Sequence, residues 1–494
     1  MNFFIRVIAL FFCCVLSAQA LAQTEPTYAE FIKDKQHHQG YFSFYLDDKT
    51  GKVFLEIANF EQNFLFQSAL PQGVGSNDIG LDRGQLGDTR LVRFEKVGNK
   101  VFLRQLNTYY RANTSNMLEK QAVDEAFASS IIWGFKVSNH SQDNSKILID
   151  YTPFLLSDIH NLSAQLKRTK QGDYKIDASR SGVYKKRSKA FPNNTELEAT
   201  VTFKGSKAGT HLRSVTPDAS AVTVNLHHSL IKLPDDGYQT RQFHPYSGFW
   251  QHAYADYASA IDEPLIKRNI PRHRLQKKNP EAKISEAVEP IVYYLDAGVP
   301  EPVKSALLDG ARWWDQAFSA IGYKNAFQVK MLPSDADPMD VRYNVIQWVH
   351  RATRGWSYGA SVIDPRTGEI IKGHVTLGSL RVRQDYLIAL GLTSPFKTTE
   401  TDTSAMKAMA LARIRQLSAH EVGHTLGIAH NFAASVNDRA SVMDYPHPLI
   451  TIENDEISLE NAYATDIGIW DKYVVAYGYS DVNKAQEAQY LSEL

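Results

Sequence analysis

The chain of 494 residues has only two cysteines, Cys13 and Cys14. Both lie in a leader expected to be removed, so the mature protein is expected to be free of cysteine. That excludes disulfides, a thiolate metal ligand and an inhibitory cysteine within this chain. Net charge is absent too: 54 Lys and Arg balance 54 Asp and Glu. Nothing electrostatic therefore argues for nucleic acid or for an anionic membrane surface. No run is apolar over the roughly 20 residues that a membrane-spanning helix needs, and no period of 20 to 50 residues marks a propeller or solenoid.

What stands at the N-terminus is a leader. Arg6 supplies the positive end, residues 7–16 are apolar, and Ala20-Leu21-Ala22 is an A-x-A cleavage signal. Residues 1–22 are expected to be a signal peptide, with the mature chain starting near Gln23. Export to the periplasm, the cell surface or the medium follows. A lipidated cysteine is disfavoured, because no small residues precede Cys13 and Cys14.

The remainder is long enough for two or three domains and has the composition of an ordinary globular protein. Residues 23–263 read as β-rich. Strand candidates fall at 51–57, 147–151, 197–203 and 222–226, and 91–104 reads as a hairpin turning at Gly98-Asn99. Residues 264–283 are basic and carry Pro271 and Pro280, the texture of a solvated surface linker. From 284 to 494 strand and helix alternate. Strands are expected at 290–295, 344–349, 358–363 and 369–377, and helices over 303–321 and 403–425. The whole is an α+β multidomain chain. Asp335, Asp337 and Asp340 lack a calcium-loop pattern and read as a solvated loop, and His227, His228, His350 and His374 lack ligand spacing and read as ordinary core or surface residues.

One string departs from ordinary composition: H-E-V-G-H-T-L-G-I-A-H, His420 to His430. A random chain of this composition would carry its five fixed positions with odds of at most about 10⁻⁴. His420 and His424 are four residues apart and share one helix face. Two imidazoles so placed reach one ion at about 2.0–2.1 Å each. Gly427 ends the helix through a positive φ and turns the chain so that His430 becomes the third ligand. Three protein ligands leave a coordination position for water or substrate, the mark of a catalytic zinc rather than a structural one. Glu421, one position off the histidine stripe, is placed to act as general base.

With Ser441-Val442-Met443-Asp444-Tyr445 this string resembles the metzincin zinc endopeptidases. The resemblance implies Zn²⁺ as cofactor and a protein or peptide as substrate. It implies a twisted mixed sheet with a long active-site helix, and Met443 in a Met-turn beneath the three histidines. Tyr445, two residues after that methionine as in the astacin and serralysin branches, is implied to help hold the oxyanion. The late segment I-W-D-K-Y-V-V-A-Y-G-Y (Ile469 to Tyr479) extends the likeness to a bacterial secreted group with a large region of unknown role before the protease domain. Members of that group continue further, which leaves open a C-terminal portion beyond Leu494. The resemblance further implies substrate pairing along an edge strand, either 358–363 or 369–377. Residues 431–434 and 445–448 would wall the main specificity pocket. A competing function from another class is an envelope binding or adhesion protein with a structural zinc site.

Overall fold

The computed structural model describes residues 26–353, 355–393, 402–436 and 438–494. The expected leader, with Cys13 and Cys14, lies outside them.

Alternation of apolar and polar residues builds the N-terminal region. In the strand Asn194–Ser206, Leu197, Ala199, Val201 and Phe203 are fully buried on one face, as a period of two requires. The strand Ala221–Lys232 pairs with it antiparallel from Asn194↔Ile231 to Lys204↔Ala221 and sends Val222, Val224 and Leu226 into the same core. Fourteen strands join in this sheet, around an aromatic interior of Phe44, Phe64, Phe66, Phe94, Phe135 and Phe154. The hairpin expected at 91–104 is Arg90–Val97 against Lys100–Gln105, turning at Gly98 with φ +57°.

The second domain carries a six-stranded sheet. Arg272–His273, Glu369–Gly378, Asn344–Val349, Ile291–Leu295 and Phe327–Met331 lie in that order and run parallel. Tyr358–Ile363 runs antiparallel beside Glu369–Gly378. Among the described residues it pairs with that strand alone, so 358–363, not 369–377, is the edge. Helices Val303–Arg312, Trp314–Ala320 and Ser404–Thr425 share one core with the sheet. The first and last touch backbone to backbone at Gly310, where any Cβ would overlap the Arg415 carbonyl. Ser418 Oγ donates to the Leu307 carbonyl (2.7 Å), and Trp314 Nε1 to that of Ala419 (2.8 Å).

A second apolar patch joins the two domains. Leu65, Leu91 and Ile231 of the N-terminal sheet pack with Val341 and Val362. The polar face of the long strands is covered as a result: Glu196 and Glu198 are 2% and 0% exposed. His227 lies between them, hydrogen-bonded to both.

Residues 264–283 are not the solvated connector that their charge suggests. Ile266–Asn269 pairs with His252–Asp256, Arg272–His273 joins the six-stranded sheet, and Ile270, Arg272 and His273 are buried. The basic groups find partners inside the fold. Arg274 pairs with Asp235 and Glu369 at 2.6 and 2.8 Å. Arg272 lies over the Tyr238 ring and donates to the Gln239 carbonyl. Phe249, ahead of the expected boundary, already belongs to the second domain's core.

Burial disfavours charge on His227, but its hydrogen bonds to Glu196 and Glu198 outweigh this and push its pKa up to about 9. A histidine raised in the folded state stabilises fully below its ordinary value of about 6.5. That contribution is lost as pH rises through the folded value. His227→Gln is expected to lower the Tm clearly at about pH 6 and much less at about pH 9.5. Thermal unfolding of both proteins across this range checks it, and a constant difference would refute it.

Candidate metal centre

The helix Ser404–Thr425 delivers His420, Glu421 and His424. It stops because Gly427 takes φ +94°, a left-handed conformation that side chains resist. A second reason demands glycine there: a Cβ would overlap the Pro271 carbonyl. The chain then turns back, and one donor atom from each of His420, His424 and His430 lies within 4.8 Å of the others.

The rings are aimed by their far nitrogens. His420 Nδ1 pairs with the Val442 carbonyl and His424 Nδ1 with that of Ile428, each at 2.8 Å. A carbonyl only accepts, so both Nδ1 atoms carry the proton and both Nε2 atoms keep a free lone pair. His424 Nε2 lies 3.1 Å from His430 Nε2, and His420 Nε2 is buried without a protein partner. Two imidazole nitrogens on one tetrahedral zinc would be separated by about 3.3 Å. Desolvation pushes the pKa of all three histidines down, that of His424 to about 4. Neutral imidazoles facing one point are a donor set that fits zinc. Among the described residues this is the one His/Asp/Glu/Cys group of that kind.

Glu421 is 4% exposed. Burial pushes its carboxyl up to about 8, against the opposing influence of the Arg413 guanidinium and the Gly359 N–H. Gly359 is the second residue of the edge strand. A side chain there would overlap the Glu421 carbonyl and crowd His424, so the strand passes directly over the motif. Among the described residues, this strand beside the triad pairs on one side only, with Glu369–Gly378.

Met443 is fully buried with its sulfur against Gly423, where any Cβ would meet it. Its carbonyl accepts from Asn431 N (3.0 Å), which ties its turn to the chain just after His430. Tyr445 is 56% exposed. Its ring lies 5.2 Å from that of His420 and 4.7 Å from that of His430. Burial of the phenol raises its pKa, so it holds its proton at neutral pH. His420, Glu421, His424, Gly427, His430, Met443 and Tyr445 are therefore brought together. The aspartates weighed for calcium are not: Asp337 pairs with Lys189 and Asp340 with Arg342.

Two residues escaped the sequence reading. Asp471 is fully buried in the helix Ile469–Tyr479. It accepts from Ser441 Oγ (2.6 Å), Val442 N (2.9 Å) and Gly468 N (2.8 Å), so it anchors the turn whose Val442 carbonyl orients His420. Its only signal was its place in the segment I-W-D-K-Y. Trp250 comes from the region before the second domain. Its ring centroid lies 6.2 Å from that of His424 and 6.4 Å from that of His430. Nothing local in the sequence marks it.

Two family models match parts of the chain. Residues 402–494 match the family described as Met-zincin. Residues 84–278 match a domain of unknown function (DUF5117). No curated protein matches the chain.

Asp471→Ala would leave buried donors at Ser441, Val442 and Gly468 without an acceptor. We expect a loss of about 3 kcal/mol in stability together with weakened zinc affinity. Urea unfolding and competition with a chromophoric chelator measure the two, and an unchanged affinity would remove Asp471 from the support of the triad.

Proposed function

We propose that this chain, which carries a metzincin-like domain after its N-terminal region, is an exported zinc-dependent endopeptidase. The observation that supports this most is the triad of neutral, mutually facing imidazoles beside a buried carboxyl and a free edge strand. His420, His424 and His430 would hold the ion. Bound zinc polarises a carbonyl and makes water a better nucleophile near neutral pH.

The chain's own groups supply the rest. An extended peptide lies along Tyr358–Ile363, its backbone paired with the strand and its side chains alternating between the cleft and solvent. Glu421 receives the proton of the attacking water and hands it to the leaving amine, as general base and then general acid. The Tyr445 phenol, protonated and half-exposed beside His420 and His430, donates a hydrogen bond to the developing oxyanion. Met443 and Gly427 act through position alone, one packed beneath the helix and the other at the turn. The adhesion alternative calls for a site closed by four protein ligands, whereas the described residues offer three.

Export rests on the leader at residues 1–22. Among the described residues, no helix is long and apolar enough to cross a membrane. The mature protein would then act in the periplasm, at the cell surface or in the medium.

Glu421→Ala is expected to lower kcat/KM on peptides at least about 10²-fold, while metal analysis still finds one zinc per chain. Tyr445→Phe should lower kcat with KM nearly unchanged, as loss of a contact made only in the transition state does. Cleavage by Glu421→Ala at the wild-type rate would refute the mechanism, and a wild type that cleaves no peptide in a broad library would refute the function.

A further inference from the structure

Trp250 is a large exposed side chain beside the triad that the mechanism above leaves unused. Its ring is 49% exposed, although it stands beside two histidines that face a buried point. Its position is fixed by backbone. Trp250 N donates to the Gly427 carbonyl (2.9 Å), and Ala429 N donates to that of Gly248 (2.8 Å). Phe249 and Ile428 form the antiparallel bridge between these bonds. Phe249 points inward and is 4% exposed in the core of the second domain. Trp250, the next residue along this bridged segment, is exposed on the side away from that core. The segment therefore packs with one residue and presents the next to the cleft.

Ring contacts give the side of the triad on which it stands. Tyr445 lies against His420 and His430, and Phe432 against His430 and Tyr445. Trp250 lies against His424 and His430. The two walls thus flank the metal point, with Tyr445 on the His420 side and Trp250 on the His424 side. An indole has a donor and no acceptor, so it can neither ligate a cation nor serve as a base. What it offers is a broad apolar face held rigid before any ligand arrives, the feature that makes tryptophan an anchor in binding sites.

We propose that Trp250 is a specificity-determining residue. Its ring walls a subsite that takes a large apolar or aromatic substrate side chain, across the scissile bond from the pocket beside Tyr445. This rests on the endopeptidase reading above. It assigns to the region before the second domain a direct part in choosing the substrate. An extended peptide on Tyr358–Ile363 turns alternate side chains toward the helix, and one of them, on the His424 side, meets the indole face.

The test is position-scanned peptides carrying Phe or Ala at each place around the cleaved bond, with kcat/KM measured for wild type, Trp250→Ala and Trp250→Phe. Wild type is expected to favour Phe by about tenfold or more at one position on the side away from Tyr445. Trp250→Ala should bring that ratio close to one, Trp250→Phe should largely keep it, and all three should bind zinc equally. The inference is overturned if Trp250→Ala keeps the wild-type profile. It is also overturned if the profile changes only together with a loss of bound zinc, since Trp250 would then merely support the loop. A wild type that cleaves no peptide would refute the endopeptidase reading itself, and a cleaving wild type with an unmoved ratio refutes this inference alone.

Discussion

Two backbone carbonyls decide where the histidines point. The oxygens of Val442 and Ile428 take the Nδ1 protons of His420 and His424, and every chemical property of the triad follows from that choice of tautomer. Neither carbonyl belongs to the helix that carries the rings it orients. Val442 is held by the Asp471 carboxylate through its own N–H. Ile428 is held by the turn at Gly427 and by the bridge to Phe249. A metal site that looks local in sequence, eleven residues from first to last ligand, is local only in its ligands. Its orientation is set from three separate parts of the chain.

The same dependence changes what the N-terminal region is for. Residues 248–250 pair with the loop between Gly427 and His430, and the Pro271 carbonyl lies where a side chain at 427 would go. His273 Nε2 lies within hydrogen-bonding reach of the Thr425 carbonyl, at the end of the motif helix. Burial pushes its pKa down to about 4, so it stays neutral there and adds no charge beside the triad. The match to a domain of unknown function runs through residue 278. That match therefore takes in the segments that pack against the triad loop as well as the part of the large sheet from Gln85 onward. The region is part of the structure that makes the site.

How much of this could be read from sequence follows from the range of the interactions. The motif helix was legible because a spacing of four and a terminating glycine are local facts of helix geometry. The strands at 51–57 and 197–203 were legible because alternation is local too. The charged stretch 264–283 was misread because a run of Lys and Arg signals solvent only when no carboxylates wait elsewhere. Asp235 and Glu369 wait for Arg274. Trp250 left no trace, and Asp471 only its place in the late segment, because each acts on residues far away along the chain. The choice between 358–363 and 369–377 as the edge was open for a related reason. Both are short runs with apolar residues, and only their pairing partners tell an edge strand from an interior one.

The contact between the domains shows how position, rather than stability, is secured. The apolar patch of Leu65, Leu91, Ile231, Val341 and Val362 holds the domains together but, being non-directional, fixes no register. The ion pair of Asp82 with Arg351 at 2.6 Å, 4% and 1% exposed, is directional. Desolvation offsets most of its attraction, so its net stabilisation is small, although either charge alone would be strongly unfavourable. Tyr358 OH donates to the same Asp82 carboxylate (3.3 Å), and Arg351 Nη1 donates to the Trp356 carbonyl (3.0 Å). These bonds converge on the residues that open the edge strand. By fixing where Tyr358 lies, they fix where Gly359 crosses above Glu421. A buried charge pair in the domain contact is thereby linked, through two residues of strand, to the place where a substrate backbone would meet the general base.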